Sequence, residues 1–379
     1  MNTITPPQCI GIMGGGQLGR MLAFSAKQMG FRVAILDPDN NCPAKQLANY
    51  HIDSTYDDYA GLNSLIQHAD VITTEFENVP AKSMEYLSTH VPTHPKASAI
   101  LIAQDRIREK KFFNQYGIKT TPYCAISNIE DINTVNPKFF PAILKTNQLG
   151  YDGKGQIKVN NVAELLAAFH DLNNVPCILE QMVDIKHEVS IIVARNSWEK
   201  MAYPVVENIH KNGILDLTIA KAQTEVNLTQ IIQEIGLNII EHLDYIGVLA
   251  IEFFITHNNQ VLANEMAPRP HNSGHYTLDT CITSQFEQQL RSICNLKLGD
   301  SGFKTSAIML NLLGDIWQNS TTAPDWGKIL KQHSNLKLHL YEKAIARSGR
   351  KMGHLTIQGA NMNKLLQQME QIKSELEIK

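Results

Sequence analysis

Two glutamates sit inside apolar runs of this chain, Glu252 in VLAIEFFI and Glu265 in LANEMAP. Each run reads as a strand, and the THNN between them reads as a hairpin turn. Paired strands can bring the two carboxylates together. Buried carboxylates repel unless a cation or a proton lies between them. Magnesium prefers oxygen ligands and is commonly held by one or two carboxylates plus nucleotide phosphates. Asn264 or Asn272 could add a neutral oxygen, and Arg269, His271, Asn272 and His275 follow in the same stretch. One such glutamate alone would more simply pair with an arginine. Two on adjacent strands point to a Mg²⁺ site, which Mn²⁺ could also fill.

A second constellation is Gly150-Tyr151-Asp152-Gly153-Lys154-Gly155-Gln156, placed between two strand-like runs. Its glycines allow a mobile hairpin tip whose amides can close over phosphates. No Lys-Ser/Thr pair opens a helix, so it is not a Walker A loop, and no H-R-D or D-F-G set accompanies it. Lys145, on the strand before it, could reach a phosphate as a point charge. Without those neighbours the segment would read equally well as an ordinary flexible hairpin.

A third constellation, Gly14-x-Gly16-x-x-Gly19 with Asp37 downstream, has the form of a dinucleotide fingerprint. Such glycines let backbone N–H groups approach a phosphate at a helix N-terminus. A lone match is weak evidence for NAD. We read the turn as a phosphate site for another ligand, with a tight turn binding nothing as the plainer alternative.

The elements that must position these residues alternate in βα fashion over the first hundred residues. Cys9–Met13, Phe31–Leu36 and Asp70–Thr74 read as strands, and Gln17–Met29 as a helix closed by Gly30. This order implies a parallel sheet with ligands beyond the strand C-termini. After Pro92–Pro95 the spacing predicts one charged helix over Ala97–Tyr116. Its DRIREKK run reads as an exposed face from which only Arg106 is functional. FFPAILKT, QIKV, ILEQMV and HEVSIIVAR then read as strands of an α+β region. AIMLNLLG, KLHLYEK and HLTIQG follow as strands of a smaller unit closed by a helix over Lys364–Glu377. The expected division is 1–96, 97–300 with a lid over about 120–185, and 301–379.

Composition excludes several classes. The 379 residues hold 43% hydrophobic and 19% charged residues, an ordinary globular balance. Lysine and arginine (34) nearly match aspartate and glutamate (37), so no broad basic field exists for nucleic acid. No run of about 18 apolar residues suggests a membrane span. The start lacks the basic region of a signal peptide, and the six cysteines form no C-x-x-C pair. A cytoplasmic protein with reduced thiols is expected.

Taken in order, these motifs resemble the ATP-grasp superfamily. IGIMGGGQLGRML, TTEFENVP, QDRIREKKFF, KTNQLGYDGKGQ, ILEQMVDIKHEVS, NEMAPRPHNSGHYT and GRKMGHL look like its N5-carboxyaminoimidazole ribonucleotide synthetase family. The likeness runs from about residue 9 to about residue 360. It implies a Rossmann-like N-terminal domain, a central ATP-grasp domain with a mobile lid, and a small C-terminal domain. It further implies a ligase joining bicarbonate to 5-aminoimidazole ribonucleotide through carboxyphosphate, at the expense of ATP, in purine biosynthesis. A homodimer and transfer of the product to a carboxyaminoimidazole ribonucleotide mutase are family expectations, and no added mutase domain is seen.

Residue by residue, the resemblance puts Arg106 and Lys145 near ATP. Glu180, Gln181, Met182 and Val183 would form the adenine hinge, and Gly150 through Gln156 the lid. Glu188 would hold the ribose, with His210 and Asn264 in the nucleotide site. Glu252 and Glu265 would bind the metal. Arg269, His271 and Asn272 would surround bicarbonate and the reacting amine. Tyr151, Asp152 and Lys154 would contact the ribonucleotide, although Lys154 departs from the family's frequent arginine and loses its fork. Lys343 and Arg350 would close over the substrate phosphate, Lys343 also taking part in catalysis. Gln17 and Glu75 are further substrate candidates. His187 and His354 read as structural, and His275 as a support for Asn272. The nearest rival is a formate-dependent glycinamide ribonucleotide transformylase; biotin carboxylase fits the carboxyl-end segments poorly, and a nucleotide-binding regulatory protein with a dead site would not need the two glutamates and Lys145 intact.

Overall fold

The computed structural model describes residues 2–148, 150, 155–220, 226–319 and 321–378. The N-terminal unit is a parallel sheet of four strands, β1 (Cys9–Met13), β2 (Arg32–Leu36), β3 (Tyr50–Ile52) and β4 (Val71–Thr74), in the order β3-β2-β1-β4. β1 and β4 are buried throughout, as strands covered on both faces should be. Helix α1 (Gln17–Gln28) follows the glycine turn and lays Leu18, Leu22, Ala23 and Ala26 on the sheet. Gly30, at φ +87°, ends it in the left-handed conformation the sequence anticipates.

The long helix expected over Ala97–Tyr116 is two helices, Ala97–Ala103 and Arg106–Gln115. Asp105 makes the break. Its side chain caps the second helix by accepting from the Arg108 N–H at 2.9 Å, and it also accepts from Asn147 Nδ2 at 2.8 Å. A competent N-cap residue thus starts a new helix where charge patterning alone suggested continuity. The new start puts Arg106 on the first turn, with its backbone N–H donating to Asn147 O at 3.0 Å. Nor is DRIREKK an exposed face, because Glu109 and Lys110 are buried.

Next comes a separate antiparallel sheet of β5 (Tyr123–Ile126), β6 (Ala142–Thr146), β7 (Gln156–Val159) and β8 (Cys177–Gln181), ordered β5-β8-β6-β7. It has its own small core around Leu144, Leu165 and Phe169. β6 and β7 pair as antiparallel neighbours, and residues 151–154 between them lie outside the described residues.

The central sheet contains nine described strands. These are β9 (Ile185–Arg195), β10 (Lys200–Ala202), β11 (Val206–Lys211), β12 (Ile214–Ala220), β13 (Gly247–Thr256), β14 (Val261–Ala267), β15 (Ser306–Leu313), β16 (Leu336–Leu340) and β17 (Lys351–Gly359). Their order is β14-β13-β9-β11-β12-β15-β17-β16, with β10 beside β9. β15–β17 and the helix Met362–Glu375 form a small C-terminal unit with its own core. Its sheet is nevertheless continuous with the central one, because β12 pairs with β15.

One helix fixes the first unit to the second. Phe286, Leu290 and Ile293 of helix Gln285–Ile293, with Cys294 just past its end, pack into the same core as α1. Burying each such large apolar side chain contributes about 1.5–3 kcal/mol. Among the described residues no helix is long and apolar enough to cross a membrane.

Candidate active site

β13 and β14 are antiparallel neighbours, and Glu252 stands in register with Glu265. Alternation along β13 sends Ile251, Phe253 and Ile255 into the core. It leaves Ala250, Glu252 and Phe254 on the opposite face, lining a cavity of about 490 Å³. Asn264 and Glu265 of β14 line the same cavity, together with Arg106, Lys145, Gly150, Gln156, Glu188 and His210. Arg269, His271 and Asn272, just past β14, complete its wall.

The two glutamates are not electrostatically equivalent. Burial raises the pKa of Glu265, but Arg106, whose NH1 lies 2.9 Å from its carboxylate, outweighs burial and lowers it. Among the described residues Glu252 has no such partner. Burial and the neighbouring Glu265 charge push its carboxyl up to about 7. His271 is its nearest base, with Nε2 at 3.9 Å. Burial, then Arg269, lower the His271 pKa to about 3, so the ring is neutral. Its Nδ1 accepts from the Ser273 N–H, leaving the proton on Nε2. This donor set fits a hard divalent cation: two facing carboxylates, one ionised and one held near neutrality by unrelieved negative charge.

Lys145 is bound more tightly than a free phosphate ligand. Its Nζ donates to Glu180 Oε2 at 3.1 Å. Lys110 Nζ lies 3.4 Å from the same oxygen, and the Thr121 hydroxyl donates to it at 3.1 Å. Burial disfavours the Glu180 charge, yet Lys145 and Lys110 prevail and hold its pKa at about 2. Glu180 thus spends its carboxylate on positioning lysines. Met182 and Val183 lie beyond the end of β8, Met182 partly exposed and Val183 on a second, more open cavity. Gln181 donates from Nε2 to Lys138 O at 3.2 Å. Glu188 pairs with His210 Nδ1 at 2.7 Å. Burial lowers the His210 pKa, but the Glu188 bond and nearby Glu252 raise it overall.

Arg269 donates to Glu77 and, from NH1, to Pro270 O at 3.0 Å. Burial opposes its charge and Glu77 more than restores it. Asn272 is buried, and both polar atoms of its side chain lack a hydrogen-bond partner among the described residues. Such orphans are rare in native interiors, and here they face a cavity, so a ligand that supplies their partners fits the site. His275 does not support the Asn272 side chain as expected. Its ring nitrogen Nδ1 meets Gln285 Nε2 at 3.2 Å, and only its backbone N–H reaches Asn272 O.

The glycine turn differs from its expected use as a phosphate site. Glu75 accepts from the Gly16 and Gly19 N–H groups at 3.1 and 3.0 Å. Asp37 accepts from the Gly15 N–H at 2.6 Å and from the Tyr56 hydroxyl at 2.8 Å. The chain's own carboxylates take the donors that a pyrophosphate would need. The glycines are required for that approach, since a Cβ at Gly16 would lie 2.6 Å from Glu75 Oε1. Neither Glu75 nor Gln17 is among the main-cavity residues.

Other expected residues fall as follows. Lys343 donates from Nζ to Lys351 O at 2.7 Å and Arg350 from NH1 to Ile345 O at 2.6 Å, and the C-terminal cation on the cavity wall is Lys351. Gly155, at φ +72°, closes the β6–β7 hairpin with its carbonyl accepting from Thr146. Tyr151, Asp152, Gly153 and Lys154 lie outside the described residues. Sequence reasoning missed Lys351, Glu77, Asn147 and Lys110. Only Asn147 carried a local signal, since it adjoins the glycine loop. It accepts from the Ile107 N–H at 3.0 Å and donates to Asp105, which ties the base of that loop to the Arg106 helix.

Comparison with known proteins matches three stretches of the chain. Residues 8–104 match a ribonucleotide synthetase preATP-grasp domain, 111–286 an ATP-grasp domain, and 307–368 a phosphoribosylaminoimidazole carboxylase C-terminal domain. The chain is 41% identical to the N5-carboxyaminoimidazole ribonucleotide synthase of Bacillus subtilis (strain 168), over 93% of this chain and 92% of that one. Its fold matches N5-carboxyaminoimidazole synthetase from Staphylococcus aureus complexed with ADP, with TM-score 0.90, 36% identity and 99% coverage of both chains. It also matches the Aspergillus clavatus synthase in complex with ADP and 5-aminoimidazole ribonucleotide, with TM-score 0.89, 29% identity and 98% coverage of both.

Proposed function

This chain belongs to the N5-carboxyaminoimidazole ribonucleotide synthase family of ATP-grasp ligases, and from that premise we propose how its own residues carry out the carboxylation. ATP, bicarbonate and 5-aminoimidazole ribonucleotide are converted to N5-carboxyaminoimidazole ribonucleotide, ADP and phosphate, a step of purine biosynthesis. A bicarbonate oxygen attacks the γ-phosphorus, the bond to ADP breaks, and carboxyphosphate forms. The exocyclic amine then takes the carboxyl carbon, phosphate leaves, and the amine gives up a proton.

Glu252 and Glu265 would hold Mg²⁺, or Mn²⁺ in its place; when bound, the cation would offset charge on the phosphates. Lys145, fixed by Glu180, and Arg106, fixed by Glu265, present cations to the phosphates. The segment from Glu180 through Val183 borders the adenine, while Glu188, His210 and Asn264 border the rest of the nucleotide. Arg269 attracts bicarbonate, and neutral His271 donates from Nε2–H. Asn272 supplies one donor and one acceptor to the reacting groups. The Gly150–Gln156 loop shields carboxyphosphate from water. Tyr151, Asp152 and Lys154 contact the ribonucleotide, with Lys343 and Arg350 at its phosphate and Gln17 and Glu75 beneath it.

The observation that carries this reading is the convergence of the facing glutamates, two anchored cations and the orphaned Asn272 on one cavity. A cytoplasmic homodimer that passes its unstable product to the mutase completes the proposal. The deciding measurement is ADP release with 5-aminoimidazole ribonucleotide and bicarbonate together and with each omitted. Full rate only with both is expected; release independent of the ribonucleotide would overturn the assignment.

A further inference from the structure

Where the C-terminal unit meets the central one, three imidazoles stack. The ring of His354 lies 4.7 Å from that of His275 and 4.5 Å from that of His339. His339 and His354 are cross-strand partners on β16 and β17, so they share a face. Asp279, on the short helix Thr277–Thr280, meets that face, its two carboxylate oxygens 3.2 and 3.0 Å from His339 Nε2. One donor atom from each of Asp279, His339 and His354 lies within 4.8 Å of the other two. None of the three lines the main cavity.

A second observation concerns His354, which is fully buried. Its Nδ1 lies 2.8 Å from the Tyr341 hydroxyl, while its Nε2 has no hydrogen-bond partner among the described residues. Leaving a buried ring nitrogen unsatisfied costs about 1–3 kcal/mol. If Nδ1–H donates to Tyr341, Nε2 presents a bare lone pair, and the Tyr341 bond orients the ring. That is the arrangement of a metal-binding histidine, whose second nitrogen is held by a neighbouring oxygen. Burial, with His275 and His339 nearby, keeps the ring neutral, as a ligand must be.

We propose that Asp279, His339 and His354 form a second metal site that binds a borderline transition cation such as Zn²⁺ through one carboxylate and two imidazoles. Two nitrogens and one oxygen suit zinc or cobalt far better than magnesium. A zinc ion sits about 2.0–2.1 Å from each donor, so the three atoms must draw together on binding. The rings of His339 and His354 lie only 15° from parallel, so their in-plane lone pairs do not meet at one point. The half-exposed His339 must also turn its ring out of the stack to share the ion. Because Asp279 follows the catalytic loop and the histidines belong to the C-terminal sheet, the ion would staple the two units together.

The test uses the full-length enzyme, stripped with chelator and then titrated with Co²⁺ under saturating Mg²⁺ and ADP, which keep the nucleotide site filled. One equivalent of Co²⁺ is expected, with visible absorption bands of a nitrogen- and oxygen-ligated ion that vanish when Zn²⁺ displaces it. Asp279→Asn and His339→Ala should each weaken this binding at least about tenfold, the scale of losing even a supporting contact in such a site. Thermal unfolding of the metal-free proteins checks that both variants fold, and their Mg²⁺-dependent ADP release should stay within about twofold of the parent. Absence of stoichiometric Co²⁺ or Zn²⁺ binding by the parent would overturn the proposal, as would folded variants that bind as tightly as the parent.

Discussion

Glu252 and Glu265 face each other across two antiparallel strands, yet only Glu265 is neutralised by an arginine. The asymmetry has a simple origin. Arg106 opens a helix whose start is set by Asp105, and that start aims its guanidinium at β14 rather than β13. Glu252 is left with burial and a like charge, which raise its pKa to about 7. A divalent cation bridging the pair would bring Glu252 to its ionised form. Arg106 also reaches the start of the glycine loop, its NH2 donating to Gly150 O at 3.4 Å.

The Glu265→Gln variant keeps the shape of the site and removes the charge shared by Arg106 and the cation. Loss of a preorganised charge of this kind costs about 10²–10³ in turnover. ADP release with both substrates should therefore fall at least about a hundredfold. Unchanged release would mean that these carboxylates serve structure alone.

Glu180 gives a pH signature. Its pKa is depressed from 4.5 to about 2 in the folded protein. A depressed carboxyl stabilises the fold fully above its unfolded pKa, and that contribution is lost as pH falls through the folded value. The loss should therefore run from about pH 4.5 down to about 2. Glu180→Gln strands Lys110 and Lys145, and removing one partner of a buried pair costs about 3–5 kcal/mol. Urea midpoints measured across that range should show a lower, flatter acid limb in the variant. A parallel limb at unchanged stability would refute the assignment.

How far the sequence could be read is clear from particular residues. Strand patterning placed Glu252 and Glu265 on one hairpin, because period-two alternation and a turn settle a register locally. The resemblance supplied the reaction, which no spacing could. Lys110 was misread as solvated because its partners Glu180 and Lys145 come from two distant strands, and charge patterning within one helix is blind to them. The acceptor of the glycine turn was invisible for the same reason: the Glu75 carboxylate that meets its N–H groups arrives from the end of β4.

Filling the turn with Glu75 predicts the behaviour of its variants. Glu75→Ala leaves the Gly16 and Gly19 N–H groups without their acceptor, at about 1–3 kcal/mol for each buried group left unpaired. Thermal unfolding should move down accordingly. NAD should not bind the parent protein in equilibrium dialysis, and binding at micromolar concentration would restore the dinucleotide reading.

The lid can be tested by comparing two Michaelis constants. If Tyr151 and Asp152 face the ribonucleotide, Tyr151→Ala or Asp152→Ala should raise its KM more than the KM for ATP. Equal effects on the two would move these residues to the nucleotide side.

Lys351 offers a last separation, between the cation that lines the cavity and those the family pattern selects. Lys343 and Arg350 donate to backbone carbonyls of the 345–351 loop, bonds that hold the loop's shape. Lys351, one residue past Arg350, opens β17 and stands on the cavity wall. A cation facing an anionic substrate contributes mainly to its capture, so Lys351→Met should lower kcat/KM for the ribonucleotide at least about tenfold, or about 1.4 kcal/mol. The thermal midpoint should change little, because the side chain is only half-buried. Lys343→Met, which releases the Lys351 carbonyl, should lower the same ratio and also loosen the loop, raising its amide hydrogen exchange. If Lys351→Met leaves the ratio intact while Lys343→Met abolishes it, substrate capture belongs to Lys343 itself and Lys351 is only its neighbour.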